Sequence, residues 1–253
     1  RAKELLPQAE DVLSRLESQI GVMVEERIRI YVYNNRRHMQ RAISPRSSGY
    51  DERVMTLGMT VGEDTLLLLG PHRDVQLTMA HELSHIVVGM STDNPYTRLP
   101  RWLDEGLAMY AEGELPAENR QALDRAIRND ELLSVRSMSS YTGQASQVDL
   151  FYGEAYSIVA FLLDEYGGGR MQQLLHLFSK GMRQEEALQR IYGFDLQGLD
   201  RRWRESLGLD PRPTPTEQPE QADSERAWYP FSFGALALPL DGVTLAAKAA
   251  THP

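Results

Sequence analysis

The 253-residue sequence contains no cysteine, which excludes both a disulfide framework and a thiolate metal site. It also lacks an uninterrupted apolar run of the ~20 residues that a membrane-spanning helix needs. Positive charge is in deficit, because 27 Lys and Arg stand against 36 Asp and Glu, for a net charge of −9. A chain of that sign repels phosphate-rich partners. We therefore expect no membrane span within this chain and no nucleic-acid partner.

What the sequence does contain is a short histidine motif, His81-Glu82-Leu83-Ser84-His85. On a helix, residues four apart lie on the same face, so the two imidazoles can bind one metal ion. Zinc accepts imidazole nitrogens, and a glutamate beside the first ligand is placed to take a proton from a metal-bound water. The motif alone also occurs by chance on solvated helix faces, and this alternative is still open at this point.

A second stretch, Trp102 to Ala108, offers the third protein ligand that a catalytic zinc site needs. The candidate is Glu105, and the nineteen residues between it and His85 leave room for a loop and a returning helix. Asp104 is a candidate acceptor that orients one of the histidines, although an acidic residue in a first helical turn also suits the helix dipole. Glu112, two turns beyond Glu105, is expected to be solvated.

The two motifs together resemble the gluzincin metallopeptidases, a peptidase MA-like family with thermolysin-like and aminopeptidase-like members. The resemblance is sharp from Leu77 to Glu112 and weaker over about the first 205 residues. It implies one zinc ion per chain, with ligands and base at the matching positions. The implied ligands are His81, His85 and Glu105, and the implied general base is Glu82.

One segment departs from the aminopeptidases of this family, which carry G-x-M-E-N to bind the free amine of the substrate. The nearest match here, Gly58-Met59-Thr60-Val61-Gly62, lacks the Glu and the Asn. The resemblance therefore implies an endopeptidase rather than an aminopeptidase. It also implies that a sheet lies over the site and that its edge strand pairs with the peptide substrate, because unpaired backbone groups bind any peptide backbone. A purely structural hairpin is the alternative.

A further candidate for catalysis is Tyr152, at the start of Tyr152-Gly153-Glu154-Ala155-Tyr156. This stretch resembles the aminopeptidase stretch Y-x-K-G-A, from which it departs at the Glu and at the Ala that follows. A tyrosine hydroxyl suits the stabilisation of a tetrahedral oxyanion. Tyr156 is the neighbouring alternative, and a purely structural role of Tyr152 as a core aromatic is another.

Hydrophobic periodicity predicts the order of strands and helices. Strands are predicted at 27–33, 54–61 and 65–69. Helices are predicted at 3–20, 36–43, around the two motifs, and at 114–129, 149–166, 171–180, 183–192 and 196–207, with the 114–129 helix exposed, a loop at 130–146 and a helix stop at glycines 167–169. The predicted fold class is α+β, with a small mixed β-sheet and helices followed by a mainly α-helical part, as in the thermolysin-like zincin architecture.

The chain is expected to contain one zincin-like metallopeptidase domain at 1–209, with an α/β part at about 1–90 and a helical part at about 91–209. Four prolines lie between 211 and 225, so we predict a Pro-rich linker at 210–226. The tail at 227–253 is assigned no role.

These features predict a zinc-dependent peptidase in which Glu82 activates a metal-bound water for attack on a peptide or protein substrate. Two alternatives stay open: a non-catalytic zincin-fold domain that binds peptides or acts as a scaffold, and a zinc hydrolase of a non-peptide amide. The resemblance, together with Arg1 rather than Met at the first position, leads us to expect a bacterial extracytoplasmic or membrane-associated location. Any signal or anchor would lie outside this chain.

Overall fold

The structure is a computed structural model that describes residues 2–22, 24, 26–43, 57–92, 94, 99–140 and 144–213. Contacts between Cα atoms divide the chain into two units, Arg1–Arg212 and Pro213–Pro253. All of the second unit after Pro213 lies outside the described residues. The predicted tail and all but the first four residues of the predicted linker therefore lie outside them too.

The fold is α+β, as predicted, and the described part is mostly helical. Three strands lie in its first third: β1 (Arg29–Tyr33), β2 (Gly58–Val61) and β3 (Thr65–Leu69). The helices are α1 (Ala2–Ile20), α2 (Arg36–Ile43), α3 (Val75–Thr92), α4 (Arg101–Glu112), α5 (Ala117–Asn129), α6 (Val148–Tyr166), α7 (Gly168–Ser179), α8 (Gln184–Tyr192) and α9 (Leu196–Ser206). The His81 motif lies within α3 and Glu105 within α4.

The sheet is mixed, with strand order β1-β3-β2. The central strand β3 runs parallel to β1 and antiparallel to β2. Its side chains alternate between two environments, as the period of two in a strand requires. Leu66 and Leu68 pack into the main core, whereas Leu67 and Leu69 form a second cluster with Met39 and Ile43 of α2. Among the described strands β1 and β2 form the two edges, and the 54–56 part of the predicted second strand lies outside the described residues.

The main core lies between the sheet and the helices that carry the two motifs. Helix α3 buries Met79, Leu83 and Val87 in it, at the four-residue spacing of one helical face. Trp102 and Leu103 of α4 are completely buried in the same core. The two motif helices are therefore fixed by apolar packing on one side, which leaves their other side for polar groups.

Three details of the helical part differ from the sequence predictions. Helix α5 is not an exposed helix, because it buries Ala122, Leu123 and Ala126. The 130–146 stretch contains two 3₁₀ turns and contributes Leu132, Val135 and Met138 to the core. Only the first of the three glycines stops α6, since Gly167 has a φ of +77° and Gly168 already begins α7. Within the described residues no helix is both long and apolar enough to cross a membrane.

Candidate metal centre

The three predicted ligands lie together where α3 faces α4. The rings of His81 and His85 are 4.9 Å apart between centroids, as expected for neighbours one turn apart on a helix. The Nε2 atom of His81 lies 3.4 Å from Oε2 of Glu105, and Nε2 of His85 lies 3.7 Å from the same oxygen. Among the described residues, these side chains form a group whose ligand atoms all lie within 4.8 Å of one another.

The other nitrogen of each imidazole is held by a carboxylate. The Nδ1 atom of His85 lies 2.9 Å from Oδ1 of Asp104, and Nδ1 of His81 lies 2.7 Å from Oε1 of Glu112. An ionised carboxylate can only accept a hydrogen bond, so each Nδ1 carries a proton, and in the neutral imidazole each Nε2 keeps its lone pair. Both lone pairs belong to the nitrogens nearest Glu105, so the tautomers suit the binding of a cation.

The carboxylate of Glu105 is buried, with only 3% of its side chain exposed. Its Oε1 atom accepts a hydrogen bond of 2.8 Å from Nη2 of Arg101, one helical turn earlier in α4. The Nη1 atom of Arg101 donates to Oδ2 of Asp104, also at 2.8 Å. The guanidinium therefore contacts both Glu105 and the carboxylate that holds His85.

The contacts between histidines and carboxylates shift the pKa of His81 and of Asp104. Burial lowers the pKa of His81, but the hydrogen bonds to Glu105 and Glu112 outweigh it and raise the pKa from 6.5 to about 10. Burial raises the pKa of Asp104, but the hydrogen bond to His85 and the charge of Arg101 bring it below its ordinary value. The pocket thus favours a positive charge at His81, which a metal ion would supply in place of a proton.

Glu82, the predicted general base, faces the sheet. Its Oε2 atom accepts a hydrogen bond of 2.8 Å from the hydroxyl of Thr60 in the edge strand β2. The strand approaches α3 closely at Gly58, where a Cβ would lie 2.5 Å from Cγ2 of Thr78 and 3.1 Å from Cγ of Glu82. A glycine at this position allows β2 to lie directly beside the proposed base.

The two candidate tyrosines lie in different surroundings. The ring of Tyr152 is 6.5 Å from the ring of His81, at the metal side of α6. Burial, with Glu105 as a second cause, raises the pKa of Tyr152 to about 12, so its hydroxyl stays protonated. Tyr156 instead lies against the ring of Tyr110, and its hydroxyl is 3.4 Å from the carbonyl oxygen of Gly113. The structure thus brings Tyr152, rather than Tyr156, next to a predicted ligand.

Close packing between α4 and α6 sets the position of Glu105. The neighbouring residue, Gly106, lies against the backbone of α6, and a Cβ there would collide with the carbonyl oxygen of Ala155 and lie 2.6 Å from Cγ2 of Val159. Any larger residue would push the two helices apart. Gly106 therefore allows the close approach to α6 of the helix that carries Glu105.

The donor set fits a catalytic zinc ion. Two ligand atoms bound to a tetrahedral zinc at roughly 2.0–2.2 Å lie about 3.3–3.6 Å from each other. The distances from Oε2 of Glu105 to the two Nε2 atoms, 3.4 and 3.7 Å, are close to that range. Two imidazoles and one carboxylate are also the ligands of catalytic zinc sites that keep a fourth position open. Such a site supports hydrolytic chemistry.

Three side chains at this site were not predicted from the sequence to take part in it. Glu112 was expected to be solvated, and this is wrong, because its side chain is only 10% exposed and is bonded to His81. A local signal existed for it, since Glu112 lies seven residues after Glu105 and thus on the same helical face. Arg101 had a similar signal, four residues before Glu105. Thr60 had none, because its contact with Glu82 joins a strand to a helix.

The fold and the site together define the class of protein. A small mixed sheet over a helix with an H-E-x-x-H motif, and a second helix that brings in a Glu, are the features of a zincin-like peptidase. The sequence matches the family described as the peptidase MA superfamily over residues 8–208. This match spans most of the chain, so the protein belongs to the peptidase MA superfamily. No curated protein sequence matched the chain.

Proposed function

We propose that the protein is a zinc-dependent peptidase of the gluzincin type, with one zinc ion held by His81, His85 and Glu105. The observation that carries this proposal is the convergence of the two Nε2 atoms on Oε2 of Glu105. The hydrogen bonds of both Nδ1 atoms to carboxylates support it, because they set the tautomer that a metal ligand requires. Membership of the peptidase MA superfamily supports hydrolysis of peptide bonds.

The proposed chemistry divides between the ion and the chain. A zinc ion at this site would polarise the scissile carbonyl and lower the pKa of a water molecule in the open position. Glu82 would accept the proton of the attacking water and pass it to the leaving amine. The hydrogen bond from Thr60 occupies one oxygen of Glu82 and leaves the other for this proton. Glu82 is therefore proposed as the catalytic base and acid.

Tyr152 is proposed to stabilise the negative charge that develops on the carbonyl oxygen during attack. A hydroxyl can donate a hydrogen bond to an oxyanion only while it is protonated, and the raised pKa of Tyr152 keeps it so. Its position beside His81 supports this role. Tyr156, whose hydroxyl is directed to Gly113, is not proposed.

Strand β2 is proposed to bind the substrate backbone. It is an edge of the sheet among the described strands, and Thr60 places it beside Glu82. An extended peptide that added to this edge would have its backbone fixed next to the base, whatever its side chains. Since the Glu and Asn that bind a free amine are missing from the 58–62 segment, endopeptidase action is proposed over aminopeptidase action.

The test combines metal analysis with peptide cleavage. Purified wild type should contain about one zinc ion per chain and should cleave internal bonds of peptides with acetylated N-termini. Glu82→Gln should retain the zinc and lose on the order of 10²–10⁴-fold in hydrolysis, the usual contribution of a general base. The matched control is Glu118→Gln, at an exposed position in the first turn of α5, which should change neither property.

Other outcomes would point elsewhere. Undiminished turnover by Glu82→Gln would contradict the mechanism. Cleavage restricted to peptides with a free N-terminus would contradict the endopeptidase assignment. Zinc binding and tight peptide binding without cleavage would support the alternative of a non-catalytic peptide-binding or scaffold domain, and turnover of small amides alone would support a non-peptide hydrolase.

A further inference from the structure

We infer that Arg101 is a positioning residue of the metal centre, which holds Glu105 so that one oxygen, Oε2, is presented to the metal. The inference rests on the proposed function, because it concerns the proposed ligand Glu105. It adds to that function a residue outside the two motifs and a specific task for it.

The two oxygens of Glu105 have different neighbours. Oε1 accepts a hydrogen bond of 2.8 Å from Nη2 of Arg101, and Oε2 faces the Nε2 atoms of His81 and His85. Charge-assisted hydrogen bonds of this length are among the stronger polar contacts in proteins and fix orientation as well as distance. Arg101 therefore holds the oxygen that would otherwise compete with Oε2 for the same cation.

The second branch of the guanidinium joins this ligand to another. Nη1 of Arg101 donates to Oδ2 of Asp104 at 2.8 Å, while Oδ1 of Asp104 lies 2.9 Å from Nδ1 of His85. One planar group thus sets the carboxylate of Glu105 and, through Asp104, the ring of His85. A lysine ammonium is a point charge on a flexible stem and lacks the rigid fork that reaches two adjacent carboxylates.

Helix stability does not account for an arginine at this position. Arg101 is the first residue of α4, where the helix dipole disfavours a positive charge. The carboxylates provide the reason, because Asp104, Glu105 and Glu112 bring three negative groups to the same small volume. Glu105 is almost fully buried, and a buried carboxylate needs a partner of opposite charge.

Removal of Arg101 should change metal affinity in opposite directions, depending on whether Arg101 acts through its charge or by orienting Glu105. Removal of a nearby positive charge, by itself, would strengthen the binding of a cation. Loss of orientation would weaken it, and removal of outer partners of metal ligands typically costs 10–100-fold in affinity. The direction of the change in Arg101→Met therefore distinguishes the two roles.

The experiment compares the wild-type chain with Arg101→Met and Arg101→Lys, by competition with a zinc chelator and by the visible absorption of the Co²⁺-substituted proteins. The absorption bands of Co²⁺ depend on the number and geometry of its ligands, so release of Oε1 should change them. We expect Arg101→Met to bind zinc about 10–100-fold more weakly, with an altered Co²⁺ spectrum. Arg101→Lys, which keeps the charge but loses the fork, should resemble Arg101→Met more than wild type.

The matched control is Arg136→Met, which removes an exposed arginine whose Nη2 lies 2.7 Å from Oε1 of Glu185, away from the metal ligands. It should leave zinc affinity and the Co²⁺ spectrum unchanged. If Arg101→Met does not fold, Arg101→Lys carries the comparison. An Arg101 variant with wild-type affinity and spectrum, tighter binding by Arg101→Met, or full restoration by Arg101→Lys would overturn the inference. A wild type that binds no metal would instead overturn the proposed function, so the two failures are distinguishable.

Discussion

Two groups of buried carboxylates within the described residues are built differently. In the candidate metal centre (His81, His85, Glu105 and the carboxylates that contact them), the potential ligand atoms of three side chains face one another. In the second group, which we call the structural pair, Glu154 of α6 and Asp200 of α9 are also buried. The comparison is informative because acidic side chains are buried at both places.

In the structural pair, three of the four carboxylate oxygens accept hydrogen bonds from other groups of the protein. Oε1 of Glu154 accepts from the backbone N–H of Leu133 at 2.9 Å, and Oδ1 of Asp200 accepts from that of Val135, also at 2.9 Å. Arg212 binds Oδ2 of Asp200 at 3.1 Å and the carbonyl oxygens of Leu132 and Leu133 at 2.7 Å. These carboxylates hold the segment after α5 in the core. In this protein, a buried acidic residue indicates a functional site only where its carboxylate oxygen lies close to the potential ligand atoms of other side chains.

The largest expected difference comes from the same substitution at the two places. Glu105→Gln removes an ionised ligand. A four-ligand zinc site typically binds with about 10–16 kcal/mol, and about a quarter of that corresponds to a loss in affinity on the order of 10²–10³-fold. Glu154→Gln keeps an acceptor for Leu133 and should leave zinc affinity unchanged. Zinc titration against a chelator measures both. Equal affinities of the two variants would mean that Glu105 is not a ligand.

The next comparison concerns two carboxylates that bind another side chain, Glu112 with His81 and Asp200 with Arg212. Glu112→Gln weakens the acceptor for Nδ1 of His81, so zinc affinity should fall about 10–100-fold with little loss of stability. Asp200→Asn weakens charge-assisted hydrogen bonds to Arg212 and should lower the free energy of unfolding by about 1.5–3 kcal/mol, with zinc affinity retained. Denaturant unfolding and chelator competition on both variants test this. The reverse pattern would contradict the division of roles.

The contact between α4 and α6 joins the two groups, because α4 carries Glu105 and α6 carries Glu154. Gly106→Ala would force these helices apart and should cost about 1–3 kcal/mol in stability, with weaker zinc binding. The matched control is Gly89→Ala in α3, where no atom lies within 4 Å of the added Cβ within the described residues, and which should stabilise by up to ~1 kcal/mol. Thermal unfolding with and without zinc measures both. A Gly106→Ala protein as stable as Gly89→Ala would show that the close contact between α4 and α6 does not require a glycine at position 106.

The last comparison concerns a pH dependence that we expect from the structural pair. Burial raises the pKa of Glu154 from 4.5 to about 8, although the hydrogen bond from Leu133 and the charge of Arg212 oppose it. The folded chain therefore holds this proton more tightly than the unfolded chain. The resulting stabilisation is complete below pH 4.5, declines as the pH rises, and is lost above about pH 8.

The slope from this one group is at most about 1.4 kcal/mol per pH unit. Glu154→Gln cannot lose a proton and should remove this part of the slope. Unfolding free energies of wild type and Glu154→Gln, measured from pH 5 to pH 9, would show the two curves diverging. Parallel curves would mean that Glu154 is already ionised in the folded protein.

Local patterns were enough for most of the fold. The helical periodicity of α1 and of α6, and the alternation in β3, are properties of neighbouring residues, so their limits agree with the predictions to within about two residues. The environment of α5 was missed because its sequence is mostly polar, and its small apolar face is buried where the helix contacts α6. The linker, the tail and the domain limits are still predictions.

The same division applies to the candidate site. His81 and His85 are neighbours because a helix places residues four apart on one face, and Glu105 could be inferred because a third ligand must come from elsewhere. These positions were determined by the sequence itself. The choice of Tyr152 over Tyr156 was not, since both are aromatic residues on the same amphipathic helix.

Tertiary structure decided the partners of these residues. Thr60 reaches Glu82 because Gly58 lets β2 pass close to α3, and Glu105 reaches the histidines because Gly106 lets α4 approach α6. Glu112 acquires its role from the docking of α4 against α3, whereas Arg101 contacts Asp104 and Glu105 within α4 itself. Helical spacing is a local property, and the sequence alone therefore determined which residues could bind a metal. The distances between separate elements depend on packing across the whole core, so only the folded chain decided which side chains would hold them in place.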